Sequence, residues 1–192
     1  MKSLLKNLWI LPAILLFLLS DFSSKAQVKG SHNYEIGVGV SAYGVLGAVG
    51  GPMRSSGPNA YFEYRYAFAD HFDVGGQFSY RFSNGQTGYI GPEVPIQTIK
   101  YNQIGLKALA DYNICPGRLA NPYIGVGLGA GSLFEKRSLS GKSTSYFGVV
   151  GPRIGVQIWK FRIAIEADFA FDGKYGIRST VTATALNLSF VF

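Results

Sequence analysis

Hydrophobic and polar residues alternate along most of the chain beyond residue 32. The last stretch, 180–192, shows this clearly, because Leu186, Leu188, Phe190 and Phe192 share one parity and mostly smaller residues share the other. Side chains of a strand point alternately to opposite faces, so a period of two predicts a β-strand with one apolar face. Seven earlier segments alternate in the same way, at 33–42, 59–68, 71–82, 99–113, 122–131, 145–159 and 160–171. The pattern therefore predicts eight strands.

The connections between these segments alternate between short and long. The short ones are 69–70, 115–121 and the 159–160 link, and the long ones are 43–58, 83–98, 132–144 and 172–179. In an antiparallel meander, consecutive connections lie at opposite ends of the sheet, so all the long loops are predicted at one end.

Composition decides what the apolar face is for. Charged residues make up 15% of the chain, against roughly 25% in an ordinary soluble domain, and no apolar run after residue 26 is long enough to cross a membrane as a helix. A closed sheet is the other structure that spans a bilayer. A soluble ligand-binding barrel of the lipocalin kind has the same alternation, but the polar face here carries mainly small residues and few charges. This favours a small polar interior and a lipid-facing exterior.

The first 26 residues have the features of a secretory signal peptide. Lys2 and Lys6 precede an apolar run over 8–19, and 24–26 supply small residues at the cleavage positions. The apolar run is too short to span a membrane, and it contains Pro12. We expect cleavage after Ala26, leaving 27–192 as a single domain. Because no Cys directly follows the apolar run, we expect no lipid anchor.

The chain resembles the small eight-stranded outer-membrane β-barrels. The resemblance rests on the signal peptide, the strand count, the unequal connections and the closing strand that carries Phe190 and Phe192. It is to the OmpA-type and OmpX-type barrels and the porin-like barrels of Bacteroidetes-type bacteria. It implies an all-β, up-and-down, antiparallel transmembrane barrel in the bacterial outer membrane, with both termini periplasmic. It also implies that Phe190 and Phe192 are an assembly signal for the barrel-assembly machinery.

The polar face carries charges that the barrel would enclose. Six acids (Glu35, Glu63, Asp73, Asp111, Glu166 and Asp168) share it with five bases (Arg65, Arg81, Lys107, Arg153 and Arg162). Buried charges must be paired, so we predict a salt-bridged plug. Position along the strands selects its members as Glu63, Arg65, Lys107, Arg153, Glu166 and Asp168. One interpretation is that the plug fills the barrel; the other is a gate, of the kind that the OmpA resemblance implies.

Basic residues predominate in the predicted long loops. The predicted loops contain three acids, Glu93, Glu135 and Asp172, and seven bases, which gives a net charge of +4. The bases are Arg54, Lys100, Lys136, Arg137, Lys142, Lys174 and Arg178. Such a rim would suit lipopolysaccharide phosphates. The alternative is a solvated rim without a dedicated partner. A protein partner at the surface is not identified, and nucleic acid is a poor candidate for an exported chain.

Residues for catalysis are sparse. His32 precedes the first strand and His71 lies in a predicted short turn, and neither has a nucleophile at a recognisable spacing. Alternate glycines, Gly125 to Gly131, lie on one strand face rather than in a phosphate-binding turn, and we expect them to make room for Arg or Tyr. Cys115 has no partner for an internal disulfide. We therefore expect no enzyme, cofactor or metal, and a structural or surface-contact role in the envelope. A narrow or gated pore is the first alternative and a lipid-modifying enzyme a weaker one.

Overall fold

A computed structural model describes residues 29–46, 54–87, 97–137, 141–172 and 180–192. The strands are β1 (His32–Leu46), β2 (Arg54–Ala69), β3 (Phe72–Thr87), β4 (Gln97–Asn113), β5 (Ala120–Arg137), β6 (Gly141–Ile158), β7 (Phe161–Asp172) and β8 (Thr180–Val191). Each strand pairs antiparallel with the next, and β1 pairs with β8, so the sheet closes into a barrel. The predicted eight-stranded antiparallel fold is confirmed.

The strands are tilted against the barrel axis. A path around the barrel can be drawn from each residue to the residue opposite it on the next strand. Such a path leaves β1 at Glu35, passes Glu63 on β2 and Lys107 on β4, and returns to β1 at Val45. The path therefore returns ten residues further along β1 than it started. An offset of this kind fixes the tilt, and with eight strands the interior is just wide enough to be filled by side chains.

The two faces of the sheet differ as the alternation predicts. Side chains that point outward are large and apolar and remain exposed, among them Ile36, Val38, Phe62, Phe78, Leu106, Leu128, Ile154, Ile165, Leu186 and Leu188. Side chains that point inward are buried, and most are polar or small. An apolar belt around a polar interior is the pattern of a barrel that sits in lipid. Among the described residues, no helix is long and apolar enough to cross a membrane.

Aromatic side chains gather at the end with the short turns. Phe192 stacks on Tyr34 at a centroid distance of 6.3 Å, and Phe161 packs edge-on against Phe190 at 5.6 Å. The seam between the first and last strands also closes here, since Tyr34 N donates to Phe192 O at 3.1 Å and Phe192 N donates to Tyr34 O at 2.9 Å. His71 stacks on Tyr112 at 5.5 Å. Rings at this level are typical of an interfacial girdle.

Strand pairing continues past the predicted strand ends on the side of the long connections. β5 and β6 run to Arg137 and from Gly141, where the sequence pattern predicted strands that end at 131 and begin at 145. The extensions 132–137 and 141–144 are mostly polar and carry no regular apolar face, so the alternation rule missed them. Backbone pairing does not need an apolar face, because each added pair satisfies peptide donors and acceptors.

Candidate functional site in the barrel lumen

The lumen holds a dense set of buried charges. Its acidic and basic residues each expose at most 5% of their surface, and they are Glu35, Glu63, Asp73, Asp111, Glu166, Asp168, Arg65, Arg81, Lys107, Arg153 and Arg162. All lie at inward positions of their strands. Each buried ion would cost several kcal/mol if it were unpaired, so the arrangement depends on close contact between opposite charges.

Arg65 is the centre of the part of this network nearer the short turns. Its guanidinium forms ion pairs with Glu63 and Asp111, and its Nε lies 2.9 Å from Glu35 Oε1. Arg162 Nη1 lies 2.7 Å from the same Glu35 oxygen, on the other side of the β1–β8 seam. Arg65 and Arg162 therefore share the Glu35 carboxylate. Through these ion pairs β2 is connected to β1, β4 and β7.

Further contacts join opposite walls of the barrel. Strands β2 and β6 are four positions apart in either direction around the eight-stranded sheet, and Arg153 Nη1 on β6 lies 3.2 Å from Glu63 Oε2 on β2. Strands β3 and β7 are also opposite, and Gln77 donates to Glu166 Oε1 at 3.1 Å. Arg81 Nη2 donates to Asp168 Oδ2 at 2.6 Å. Side chains that meet across the full width leave the lumen filled at this level.

Several cations of the network contact more than one carboxylate. Lys107 Nζ lies 2.7 Å from Glu166 Oε2 and 3.2 Å from Asp168 Oδ1. Arg153 contacts Glu63, and its Nε also lies 3.6 Å from Asp111 Oδ1. Shared pairs keep Lys107 and Arg153 compensated even when one contact lengthens.

Tyr123 lies at the centre of the arginines. Its side chain is fully buried, and the guanidinium carbons of Arg162, Arg65 and Arg153 lie 4.6, 5.6 and 5.6 Å from its ring centroid. An aromatic face attracts cations, so one ring keeps three like charges together. Tyr123 is not among the residues that the sequence predicts for the plug. Its signal was that it is the non-glycine residue on the inward face of its predicted segment.

The six residues predicted for the plug do lie together, but the network is larger than that set. Glu35, Asp111, Arg81 and Arg162 also take part in ion pairs. They were omitted because position along a strand was used as a measure of height. In a sheet whose strands are tilted, residues at different positions along their strands come to the same level, and long side chains cover the remaining distance.

Glycines on the inward face make room for neighbouring side chains. A Cβ at Gly125 would meet Asp111, and one at Gly127 would meet Leu109 and then Lys107 at 3.2 and 3.4 Å. The expectation of Arg or Tyr neighbours is therefore wrong for these two positions. It is wrong at the other two as well, since a Cβ at Gly129 would meet Leu106 and Lys107, and one at Gly131 would meet Ile104 and Phe147. A tyrosine neighbour occurs instead on β6, where Gly155 lies against Tyr123.

The basic residues assigned to the long loops belong mostly to strands. Arg54 begins β2, Lys136 and Arg137 end β5, and Lys142 is the second residue of β6. Their placement in loops is thus corrected, for the reason given above for the strand extensions. Lys174 and Arg178 lie outside the described residues.

Neither histidine lies in a catalytic arrangement in the described part of the chain. Nδ1 of His32 is 2.7 Å from the Tyr64 hydroxyl, and Nδ1 of His71 is 2.7 Å from the Asn113 carbonyl oxygen. Both lie at the end with the short turns. Within the described ranges, no group of three or more His, Cys, Asp or Glu side chains is arranged to hold a metal ion.

An apolar exterior, a closed eight-stranded sheet and an ion-paired interior define a barrel that is built for a lipid bilayer. The family comparison agrees with this class. The chain belongs to the outer membrane protein beta-barrel domain family, whose model matches residues 13–192. The protein is therefore an outer-membrane β-barrel. No curated protein matches the chain by sequence.

Solved structures of small outer-membrane barrels share this fold. Ail, the attachment invasion locus protein of Yersinia pestis, in complex with the heparin analogue sucrose octasulfate, matches with a TM-score of 0.57 at 16% identity, over 86% of this chain and all of the other. Another structure of Ail matches with a TM-score of 0.52 at 17% identity, over the same shares. Neisserial surface protein A matches with a TM-score of 0.52 at 15% identity, over 82% of this chain and 95% of the other. At these identities the likeness concerns the fold.

Proposed function

We propose that the protein is a closed structural barrel of the cell envelope that presents its outer end to the cell surface. The observation that carries this proposal is the set of contacts between opposite walls, such as Arg153 to Glu63 and Arg81 to Asp168. A solute would have to displace ion pairs that are shielded from water, and it would leave charges uncompensated. The lumen is thus a polar core that supports the sheet.

Conductance in planar bilayers tests the closed state. We expect no channel openings from the purified wild type, and none from Lys107→Ala or Arg153→Ala once heat-modifiable gel migration shows that each is folded. Arg118→Ala, at an exposed turn position, is the matched control. Regular openings of the folded wild type would overturn the proposal.

A gated pore is the second candidate, because the shared ion pairs offer alternative partners. Lys107 contacts both Glu166 and Asp168, so one pair can open while another forms. This function predicts brief openings in the wild type that last longer in Lys107→Ala. If neither the wild type nor Lys107→Ala shows channel openings, the gated pore is excluded.

Orientation and processing are part of the same proposal. Residues 29–31, which precede β1, lie at the end of the barrel with the short turns, and so does Phe192. We place this end in the periplasm. Residues 1–26 would be removed on export, and amino-terminal sequencing of the membrane form tests this by finding Gln27 first.

Phe190 and Phe192 serve as the recognition signal for the barrel-assembly machinery in this proposal. The exposed ring of Phe192 lies at the strand end, where it is accessible before the seam with Tyr34 closes. Phe192→Ala should reduce the amount of folded barrel in the membrane fraction, whereas Phe171→Ala, near the other end, should not. Equal effects of both changes would contradict the assignment.

Surface contact through the basic outer rim, with lipopolysaccharide as the partner, completes the proposed role. The structure of Ail with a sulfated heparin analogue shows that a barrel of this fold carries a polyanion. Here the exposed Lys136 and Lys142 supply positive charge at the outer end.

A further inference from the structure

Three lysines form a row across adjacent strands at the outer end of the barrel. Lys100 on β4 lies opposite Lys136 on β5, and Lys136 lies opposite Lys142 on β6. All three side chains are exposed. Their parity is that of the lipid-facing residues Leu106 and Leu128, so they lie on the outer wall and not in the lumen. We call Lys100, Lys136 and Lys142 the lysine row.

The row has no compensating charge in the described part of the chain. None of the three lysines is in an ion pair there, although Glu135 is a sequence neighbour; that residue has the inward parity and interactions of its own. The neighbouring connection 138–140 contains no acid, and 88–96 contains Glu93 alone. Like charges placed directly opposite one another destabilise a sheet. The row is therefore unfavourable unless an anion lies against it.

An apolar groove lies further from the outer end, on the three strands that carry the row and on the flanking strands β3 and β7. Its floor is formed by small residues, Ala130 and Gly148, which lie opposite each other. Its sides are formed by large ones, including Leu106, Tyr146 and Phe171. The groove has a volume of about 630 Å³ and opens toward the lipid. Tyr146 is 74% exposed, so it stands out from the wall.

The row and the groove are continuous along the strands. From Lys136 to Ala130 the chain advances six residues, about 20 Å at the usual rise of a strand. The side chains between them on that face are Phe134 and Ser132, of which Phe134 is 41% exposed. A ligand that covers both features needs anionic groups at one end and a flexible apolar part at the other.

We propose that the lysine row and the groove form a binding site for one phosphorylated, acylated lipid of the outer leaflet. Its phosphates lie across the row and an acyl chain lies in the groove. Lysine ammonium groups bind phosphate as point charges, and a leaflet lipid is already oriented with its phosphate at the membrane surface. This inference rests on the proposed surface placement of the long-connection end and names the site that contacts the lipid.

The opposite side of the barrel supplies a natural control. A second lipid-facing groove of about 750 Å³ is bordered by Val38, Ala60 and Leu186. The described outer ends of the strands β1, β2 and β8 carry one cation, Arg54 at the start of β2, and no row of lysines. If apolar contacts alone bound the lipid, both grooves would bind it. The proposed site includes only the first groove, which lies below the lysine row.

Native mass spectrometry of the full protein in nonionic detergent micelles containing diphosphoryl lipid A tests the row. We expect one bound lipid on the wild type. Replacing all three lysines (Lys100→Gln, Lys136→Gln, Lys142→Gln) should weaken binding about 100-fold, at roughly fivefold for each lysine near an anionic lipid headgroup. The matched control removes three cations at the short-turn end (Lys29→Gln, Arg118→Gln, Lys160→Gln) and should bind as the wild type does. Equal weakening in both, or in neither, would overturn the proposal.

The groove is tested by filling it. A Cβ added at Gly148 would meet only Gly129 O within 4 Å, at 3.9 Å, so the backbone has room for a side chain here, and Gly148→Phe places a ring in the groove. It should weaken lipid A binding, whereas Ala60→Phe in the second groove should not. Inorganic phosphate at the same concentration should fail to displace the lipid. If a soluble sulfated oligosaccharide binds as tightly as lipid A and is insensitive to Gly148→Phe, the occupant is a soluble polyanion and the lipid site is wrong.

The outcome is separable from that of the proposed function. Conductance reports on the lumen, and heat-modifiable migration reports on folding, whereas lipid binding reports on the outer wall. A closed, folded barrel that binds no lipid A would overturn this inference alone.

Discussion

The five cations of the lumen each lie within 3.2 Å of a carboxylate oxygen, whereas the three cations of the lysine row lie opposite one another. The first group is shielded from water and the second is exposed. A buried charge has to be compensated by the chain itself, because no solvent reaches it. An exposed charge tolerates repulsion at low cost, since water screens it, and it stays available to an outside partner. The comparison separates residues that maintain the barrel from residues that serve a contact.

The largest expected effect is that of Arg65→Ala. The change removes the cation that pairs with the buried carboxylates Glu35, Glu63 and Asp111. Because removing one partner of a buried ion pair leaves an uncompensated charge, we expect the free energy of unfolding to fall by about 3–5 kcal/mol. Urea unfolding of the protein in phosphatidylcholine vesicles, followed by Trp159 fluorescence, measures the free energy of unfolding. The exposed Arg118→Ala is the control, and its effect should stay within about 0.5 kcal/mol. If the two changes cost the same, the lumen network is not what holds the barrel together.

A smaller effect is expected for Tyr123→Leu. The ring lies against three guanidinium groups, and the loss of these cation–π contacts should lower the free energy of unfolding by about 2 kcal/mol. Tyr123→Phe keeps the ring and removes only the hydroxyl, which lies 3.4 Å from Arg153 Nη2, so it should cost less than about 1 kcal/mol. The same unfolding measurement applies. Equal losses in the two variants would assign the effect to the hydroxyl instead of the ring.

The smallest effect, with the opposite sign, is expected for the lysine row. Lys136→Gln removes repulsion from Lys100 and Lys142 and should raise the free energy of unfolding by a few tenths of a kcal/mol in phosphatidylcholine vesicles. In vesicles that contain lipid A the sign should reverse, because the wild type then gains the bound lipid. A loss of stability without lipid A would show that the row is compensated by the chain, and the contrast with the lumen would disappear.

Most of the lumen's composition could be read from the sequence. Residues such as Glu63 and Glu166 stand at inward parity, and that parity follows from a local rule of strand geometry. The partners could not be read in the same way. Arg153 contacts Glu63 across the lumen at a separation of 90 residues, and Tyr123 collects arginines from three strands. Those contacts depend on the offset between strands around the closed barrel. The sequence of a single strand does not determine that offset.

The sequence by itself determined that eight alternating strands turn one face to lipid and the other inward, because a period of two is a property of each strand alone. The barrel's tertiary structure decided which charges meet and which are left facing one another. Closure with a ten-residue offset brings opposite walls within reach of Arg153 and Arg81, and strand register places Lys100, Lys136 and Lys142 side by side. Both outcomes depend on pairing between strands that are distant in the chain, and so they exist only once the sheet has closed.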